Sequence, residues 1–479
     1  TASTGTTTGP GAGSVPAAPG VPCDVPAGYP EPWPDRPRYT AHLSVDPGKR
    51  LVTGDVAVRF TPDADTDRLV FRLWPNAPRI GRAGGRLDVT AATLVTSPAV
   101  AGNGGGDAGT PVTGTYQAGG AAAGRPGTIW TVPGTFAAGQ AVEARLQFRL
   151  TVPGALNDRV ATAGKAVRLG SVIPILSWIR RDGWQTSPAT NLNAETAASE
   201  VADWDVTVTA PAGYTALGTG DETPPGPDAT RPPAGGGAAP AVMRFVAPAV
   251  RDWAATVAPM RLGRASAQGG RTTVVVGVAE GAVGDPNALA ARNAQALDAL
   301  AARFGEYPYP RLTIGVTTGL SGGIEFPTHI FLGSGVATVH LVHEVAHQWF
   351  YGLAGNDQYR DPWLDESFAT YGESRVDGAL AYQRSRAIPA AGRGHLGESM
   401  AYWGRVAGSG YYLSVYVGGV QALGALADRL GGYGALDCAL RRYVHDRAYT
   451  VSRPSDLIAA LTAQTGVDPR AVLSPFGIR

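Results

Sequence analysis

Residues 343–347 read His-Glu-Val-Ala-His, and Glu366 follows after eighteen intervening residues. Residues four apart lie on one face of a helix, one turn above each other. His343 and His347 can therefore aim two imidazole nitrogens at one point. A catalytic zinc ion typically takes three protein ligands and keeps one position open. Glu366 is the obvious candidate for the third ligand. Glu344, beside the first histidine, is placed to act on water in the open position. The alternative for the same residues is a solvated polar helix face.

The flanking sequence favours a helix pair. Ser334 offers an N-cap. Val336, Val339, Val342 and Ala346 then recur at spacings of three and four, as an apolar helix face does. Valine is a weak helix former, so burial must support this segment. Gly352 and Gly355 can end it. Asp361-Pro362 reads as an N-cap followed by proline at the first helical position. A second helix starting there carries Glu366 in its second turn, and the turn between the helices brings the three ligands together.

His343, Glu344, His347 and Glu366 resemble the zinc signature of the gluzincin aminopeptidases, the family of aminopeptidase N and leukotriene hydrolase. Gly322-Gly323-Ile324-Glu325-Phe326-Pro327 resembles that family's exopeptidase motif, with Phe326 where asparagine is usual. Tyr416-Val417-Gly418-Gly419 falls where the family has its catalytic tyrosine, with Gly418 where lysine is usual. Phe71-Arg72-Leu73-Trp74-Pro75-Asn76 and Ser199-Glu200-Val201-Ala202-Asp203-Trp204 are similar to stretches of the family's amino-terminal β-domain. The resemblance is diffuse from about residue 36 onward and sharp over 322–373.

The chain has 479 residues, room for two or three domains that each bury a core. Its formal net charge is +1, so nothing suggests nucleic acid or an acidic membrane surface as partner. No apolar run reaches the ~18 residues of a membrane span. The first 22 residues are only Thr, Ala, Ser, Gly, Pro and Val. Such a composition cannot bury a core, and a disordered leader on a secreted or extracytoplasmic protein is expected. Cys23 and Cys438 permit one disulfide in an exported protein, tying that leader to the carboxy-terminal helices. Two unpaired thiols are the alternative.

Along the chain we expect a leader over 1–35, a β-rich domain over 36–262 and a metallopeptidase domain over 263–479. Val56, Val58 and Phe60 alternate with small or polar residues after a turn at Asp46-Pro47-Gly48-Lys49. Leu146, Phe148 and Leu150 repeat the pattern, as do Trp204, Val206 and Val208. Low-complexity stretches near 102–127 and 224–240 read as surface loops. Val274-Val275-Val276 then suggests a buried strand. Asp285-Pro286 caps a helix with Leu289, Leu297, Leu300 and Phe304 on one face and Gly305 at its end. Leu312, Ile314 and Val316 suggest another strand, and helices dominate after residue 334. The fold class is α+β. It comprises an amino-terminal β-sandwich-like domain followed by an α-rich, thermolysin-like metallopeptidase domain, in agreement with the resemblance. The long carboxy-terminal helical domain of many relatives finds no room before Arg479, which implies an open site.

The resemblance implies one zinc ion held by His343, His347 and Glu366, and peptide substrates cleaved with Glu344 as general base. It implies Tyr416 as donor to the oxyanion, with Tyr412 or Tyr411 as alternatives and packing as the plain reading of all three. A carboxylate at Glu325 can pair with the substrate's α-ammonium group, which sets cleavage one residue in. Gly322 and Gly323 let a substrate backbone approach. Asp182, Glu195 and Glu200 are candidates for a second amine anchor. Asp365 is expected to point elsewhere on the helix, Glu373 to orient a ligand or face solvent, and His329 and His340 to serve the core or support the ligands. The favoured activity is that of a zinc aminopeptidase. A zinc endopeptidase or dipeptide-releasing enzyme of the same fold is the first rival. A non-catalytic secreted zinc-binding protein is the second.

Overall fold

The structure is a computed structural model that describes residues 23–96, 109–192, 198–224, 239–336, 338–406 and 410–479. Alternation of apolar and polar residues makes the first layers. Arg38–Asp46 buries Tyr39, Ala41, Leu43 and Val45 and turns Arg38, Thr40, His42 and Ser44 to solvent. A half-buried strand has this period-two pattern. It lies inside an eight-stranded sheet of order 221–223, 241–250, 202–210, 38–46, 51–60, 142–151, 86–95, 110–111. Neighbours are antiparallel except for Arg38–Asp46 beside Ala202–Ala210. Two four-stranded sheets add the strands Thr66–Arg72 and Ala254–Ala258, among others. Apolar faces from these sheets share one core, in which Tyr39 stacks on Trp204 at 3.8 Å between ring centres.

One expected loop is partly strand. Thr110–Pro111 and Thr115–Gln117 fall within the Gly/Ala/Thr-rich stretch yet pair with existing strand edges, Thr93 opposite Pro111 and Tyr116 opposite Trp130. Gly114 allows this, because a side chain there would collide with the Trp130 indole. Residues 97–108 and 225–238, and the leader through residue 22, lie outside the described residues.

A five-stranded sheet follows, in the order 260–267, 272–279, 311–317, 329–333, 323–326. Helix α1 (Pro286–Phe304) connects the parallel strands Thr272–Ala279 and Arg311–Thr317. Its caps are as expected. Asp285 accepts from the Asn287 and Ala288 amides at 2.8 and 3.0 Å, and Gly305 ends the helix at φ 107°. Strand Gly323–Phe326 forms the sheet's edge.

The remainder is mainly helical: α2 (Thr338–Ala346), α3 (Trp363–Asp377), α4 (Gly418–Leu430) and α5 (Tyr433–Arg447). Two capping expectations fail. Ser334 accepts from the Val283 amide at 2.8 Å and stands four residues before α2. Helix α3 begins at Trp363 with Pro362 as its N-cap, one residue later than Asp361-Pro362 suggested. Cys23 and Cys438 do form a disulfide, which fixes the start of the described chain to α5. Nearby, the Tyr29 hydroxyl donates to the Glu306 carbonyl at 2.5 Å. No described helix is long and apolar enough to cross a membrane.

Candidate metal centre

Helices α2 and α3 pack together and bring His343, His347 and Glu366 to one point. His343 Nε2 lies 3.1 Å from His347 Nε2 and 3.1 Å from Glu366 Oε2. His347 Nε2 lies 3.5 Å from the same carboxylate oxygen. Tetrahedral ligands each about 2.0–2.1 Å from a zinc ion stand ~3.3 Å apart, so the spacing suits this ion.

The opposite edge of each imidazole is also held. His343 Nδ1 is 3.2 Å from Glu373 Oε2, and His347 Nδ1 is 2.7 Å from Asp365 Oδ1. Asp365 in turn accepts from Gln358 Nε2 at 2.6 Å. Such outer contacts fix the ring and the tautomer of a metal-binding histidine. The expectation that Asp365 points elsewhere is therefore wrong. His347 stands just past the last turn of α2 and meets α3 side-on, so successive residues 365 and 366 reach its two nitrogens. The turn after His347 is wide, with the Gly352 amide donating to the His347 carbonyl at 2.8 Å. Buried Arg251 pins that turn, donating to the Leu353 carbonyl at 3.1 Å and to Ser199 and Thr450 carbonyls at 3.0 and 3.2 Å. A side chain on Gly355 would occupy the guanidinium.

Glu344 is buried beside the ligands. Glu325, Glu344 and His347 offer ligand atoms that all lie within 4.8 Å of one another. Glu325 thus faces the same small volume from the edge strand. A Cβ on Gly323 would fall on the Glu344 side chain, whereas the space around Gly322 is open. Gln348, which sequence reasoning missed, locks strand to helix. It donates to the Phe326 carbonyl at 3.0 Å and accepts from the Thr328 amide at 2.8 Å. The Phe326 side chain packs on Phe331, 5.2 Å between ring centres.

Tyr416 stacks on His343, 5.6 Å between ring centres and 9° from parallel. It lies in a π-helical turn, Leu413–Val417, leading into α4. Such turns recur at functional sites because the extra residue redirects side chains. Tyr411 and Tyr412 pack against Tyr416 at 5.9 and 4.8 Å. The Tyr416 ring thus lies against one of the three clustered side chains. Tyr411 is buried and Tyr412 is partly exposed. Gly419 lets this segment close onto α3, where Ser367 donates to the Val415 carbonyl at 2.7 Å.

The electrostatics call for a cation. Glu325, Glu344, Asp365, Glu366 and Glu373 are all buried around His343 and His347. Clustered buried carboxylates are costly unless compensated. Burial works against charge on His343, but Glu366 and Glu373 outweigh it and raise its pKa to about 9. Burial likewise opposes charge on His347, while Glu325, Asp365 and Glu366 raise it well above the ordinary value. Burial also opposes ionisation of Glu366, yet both histidines hold it well below the usual carboxylate range. The site attracts positive charge where a dication would sit, and its N,N,O donor set suits zinc.

The other candidates are elsewhere or otherwise engaged. His340 is exposed and neither supports a ligand nor joins the core. His329 is buried between Thr313 and Thr256 at 2.7 and 3.1 Å, as a core histidine. Asp182 is ion-paired with Arg453. Glu200 accepts from the Arg180 amide at 2.9 Å. Glu195 lies outside the described residues.

No protein-family profile matches the sequence. Solved structures do. A point mutant of an M1 zinc metallopeptidase from Deinococcus radiodurans, bound to a Tyr-Ser-Ala substrate, superposes with a TM-score of 0.68 at 19% identity. The match covers 93% of this chain and 94% of that one. The fold is that of the M1 zinc metallopeptidases. The same enzyme without the mutation gives 0.67 at 19% identity over 93% of both chains. A mutant two-domain M1 zinc metallopeptidase bound to L-tryptophan gives 0.65 at 19% identity, over 94% of this chain and 96% of that one.

Proposed function

We propose that the protein is a zinc-dependent aminopeptidase. The observation that carries this reading is the convergence of His343, His347 and Glu366 on one point with Glu344 and Glu325 facing the same volume. A zinc ion bound by the first three residues supplies Lewis-acid chemistry and acidifies water to a pKa of about 7. Glu344 accepts the proton of the attacking water and returns it to the leaving nitrogen. Tyr416, held by its stack on His343, donates its phenol proton as a hydrogen bond to the developing oxyanion. Glu325 pairs with the substrate's α-ammonium group and so sets the scissile bond one residue in. The strand Gly323–Phe326 lies at the sheet edge, where an extended peptide can add alongside it. Asp365 and Glu373 orient the two imidazoles.

Fold likeness to peptidases, one crystallised with a tripeptide substrate, supports peptides as the substrate class. The Cys23–Cys438 disulfide supports an oxidising, extracytoplasmic location. The test is hydrolysis of one peptide with a free or an acetylated amino terminus, with and without a chelator. We expect stepwise cleavage of the free peptide alone, abolished by chelation. Equal cleavage of both peptides removes the role of Glu325 and favours the endopeptidase rival. No cleavage by zinc-loaded protein favours the binding-protein rival.

A further inference from the structure

The tyrosines do not stop at Tyr416. Its ring packs on Tyr412, 4.8 Å between centres. Tyr412 is 43% exposed, and nearby Tyr382 is 63% exposed, two of the few large apolar side chains left to solvent among the described residues. The Arg386 guanidinium lies over the Tyr382 ring at 5.7 Å. Burial raises the Tyr412 hydroxyl above its ordinary pKa, with help from Glu373, and Arg386 opposes both. Tyr412 therefore sits between Glu373, which holds a candidate zinc ligand, and Arg386. The result is a continuous path from His343 through Tyr416 and Tyr412 to Arg386 and Tyr382.

This path ends in a cation. Among the described residues the nearby salt bridges belong to other arginines, and the Arg386 side chain instead meets the Tyr412 hydroxyl. Two neighbouring arginines are engaged: Arg375 pairs with Asp437 at 2.7 Å, and Arg384 with Asp428 at 2.5 Å. Arg386 is nonetheless fixed at its backbone. Gln421 of α4 donates to its carbonyl at 2.7 Å and to that of Gln383 at 3.2 Å. An arginine held in place and backed by a tyrosine is built for planar carboxylate recognition.

We infer that Arg386, with Tyr382 and Tyr412, forms a subsite for a carboxylate carried by the peptide downstream of the scissile bond. This rests on the aminopeptidase reading above. With Glu325 holding the ammonium group at one end, the chain beyond the scissile bond leaves past Tyr416. Each extended residue spans about 3.3–3.6 Å, so a carboxylate two or three residues beyond the cut is within reach of the tyrosine path. That carboxylate is either the free carboxy terminus of a short peptide or an acidic side chain.

Three peptides of one core sequence distinguish these sources: a free acid, its amide, and an amide with glutamate at the third position. kcat/KM is measured on each for the zinc-loaded full chain, Arg386→Gln and Arg386→Lys. We expect amidation to lower wild-type kcat/KM about tenfold, the scale of one charge-assisted hydrogen bond. Arg386→Gln should cleave acid and amide equally. Arg386→Lys should restore part of the preference. Recovery by the glutamate amide points to acidic side chains, and no recovery points to the main-chain carboxylate. Equal cleavage of acid and amide by wild type overturns the inference, as does an unchanged preference in Arg386→Gln. If wild type cleaves nothing, the aminopeptidase reading fails on its own, and calorimetric binding of the same peptides decides about Arg386. Tighter binding of the acid, lost in Arg386→Gln, upholds the subsite, and equal binding overturns it.

Discussion

The eight-stranded sheet and the α2–α3 pair each have a buried side, and the two are filled in opposite ways. Along 142–151 the sheet buries Val142, Ala144, Leu146, Phe148 and Leu150 and exposes Arg145, Gln147, Arg149 and Thr151. Around one point the helix pair and the edge strand bury five carboxylates and two imidazoles. Apolar burial stabilises the fold directly. Buried charge does so only when compensated, and it survives where chemistry needs it. Substitutions in the sheet should therefore cost stability and leave chemistry intact, and near-isosteric substitutions of Glu344 and Tyr416 should do the reverse.

The sharpest contrast is Glu344→Gln, which removes a proton acceptor with almost no change in volume. We expect kcat to fall by ~10²–10⁴, with zinc content and thermal midpoint unchanged. A loss of folding instead would place Glu344 in the scaffold. Tyr416→Phe should lower kcat by ~10²–10³ while KM moves little, and a change confined to KM would assign the ring to binding. On the sheet side, Leu146→Ala should destabilise by about 2–5 kcal/mol, read by denaturant unfolding. Its kcat per folded molecule at low temperature should equal that of wild type. Asp365→Asn should weaken zinc affinity by ~10–100-fold in a competition titration.

The smallest effect concerns a third buried histidine. Burial lowers the His329 pKa from 6.5 to about 3, with Arg311 adding to it. The unfolded chain then binds a proton that the folded chain refuses. Stability contributed by neutral His329 is full above pH 6.5 and falls as pH drops towards 3. Between pH 6.5 and 5.5 the loss should be about 1 kcal/mol. His329→Asn should flatten this part of the stability–pH curve, and an unchanged slope would contradict a neutral His329.

Periodicity and caps made most of the fold legible. Alternation found the strands around Val56, Leu146 and Trp204, and Asp285 and Gly305 bracketed α1 as read. Spacing put His343 and His347 on one helix face, and the helix pair read from the flanking sequence, with the family resemblance, added Glu366. What escaped depended on contacts distant in sequence. The pairing of Tyr116 with Trp130 is set by a tertiary edge and hidden by glycine-rich composition. Ser334 lost its capping role because the Val283 amide claims its hydroxyl. Asp365 was missed because His347 leaves the end of α2 and meets α3 from the side. A signal existed, since a metal-binding histidine usually has a carboxylate or carbonyl at its other nitrogen. Gln348 and Arg251 gave none, being a glutamine and an arginine whose partners are backbone carbonyls and amides from other elements.

On the proposed function, the charge buried between α2 and α3 is balanced by one zinc ion on His343, His347 and Glu366. Zinc content and thermal midpoint, measured before and after chelation on wild type and Glu366→Gln, test it most directly. We predict one zinc per wild-type chain and a midpoint that falls on chelation and recovers with added zinc. Glu366→Gln should bind little zinc and show no chelator-dependent shift. A wild-type midpoint indifferent to chelation, or equal zinc content in the two proteins, would contradict the account.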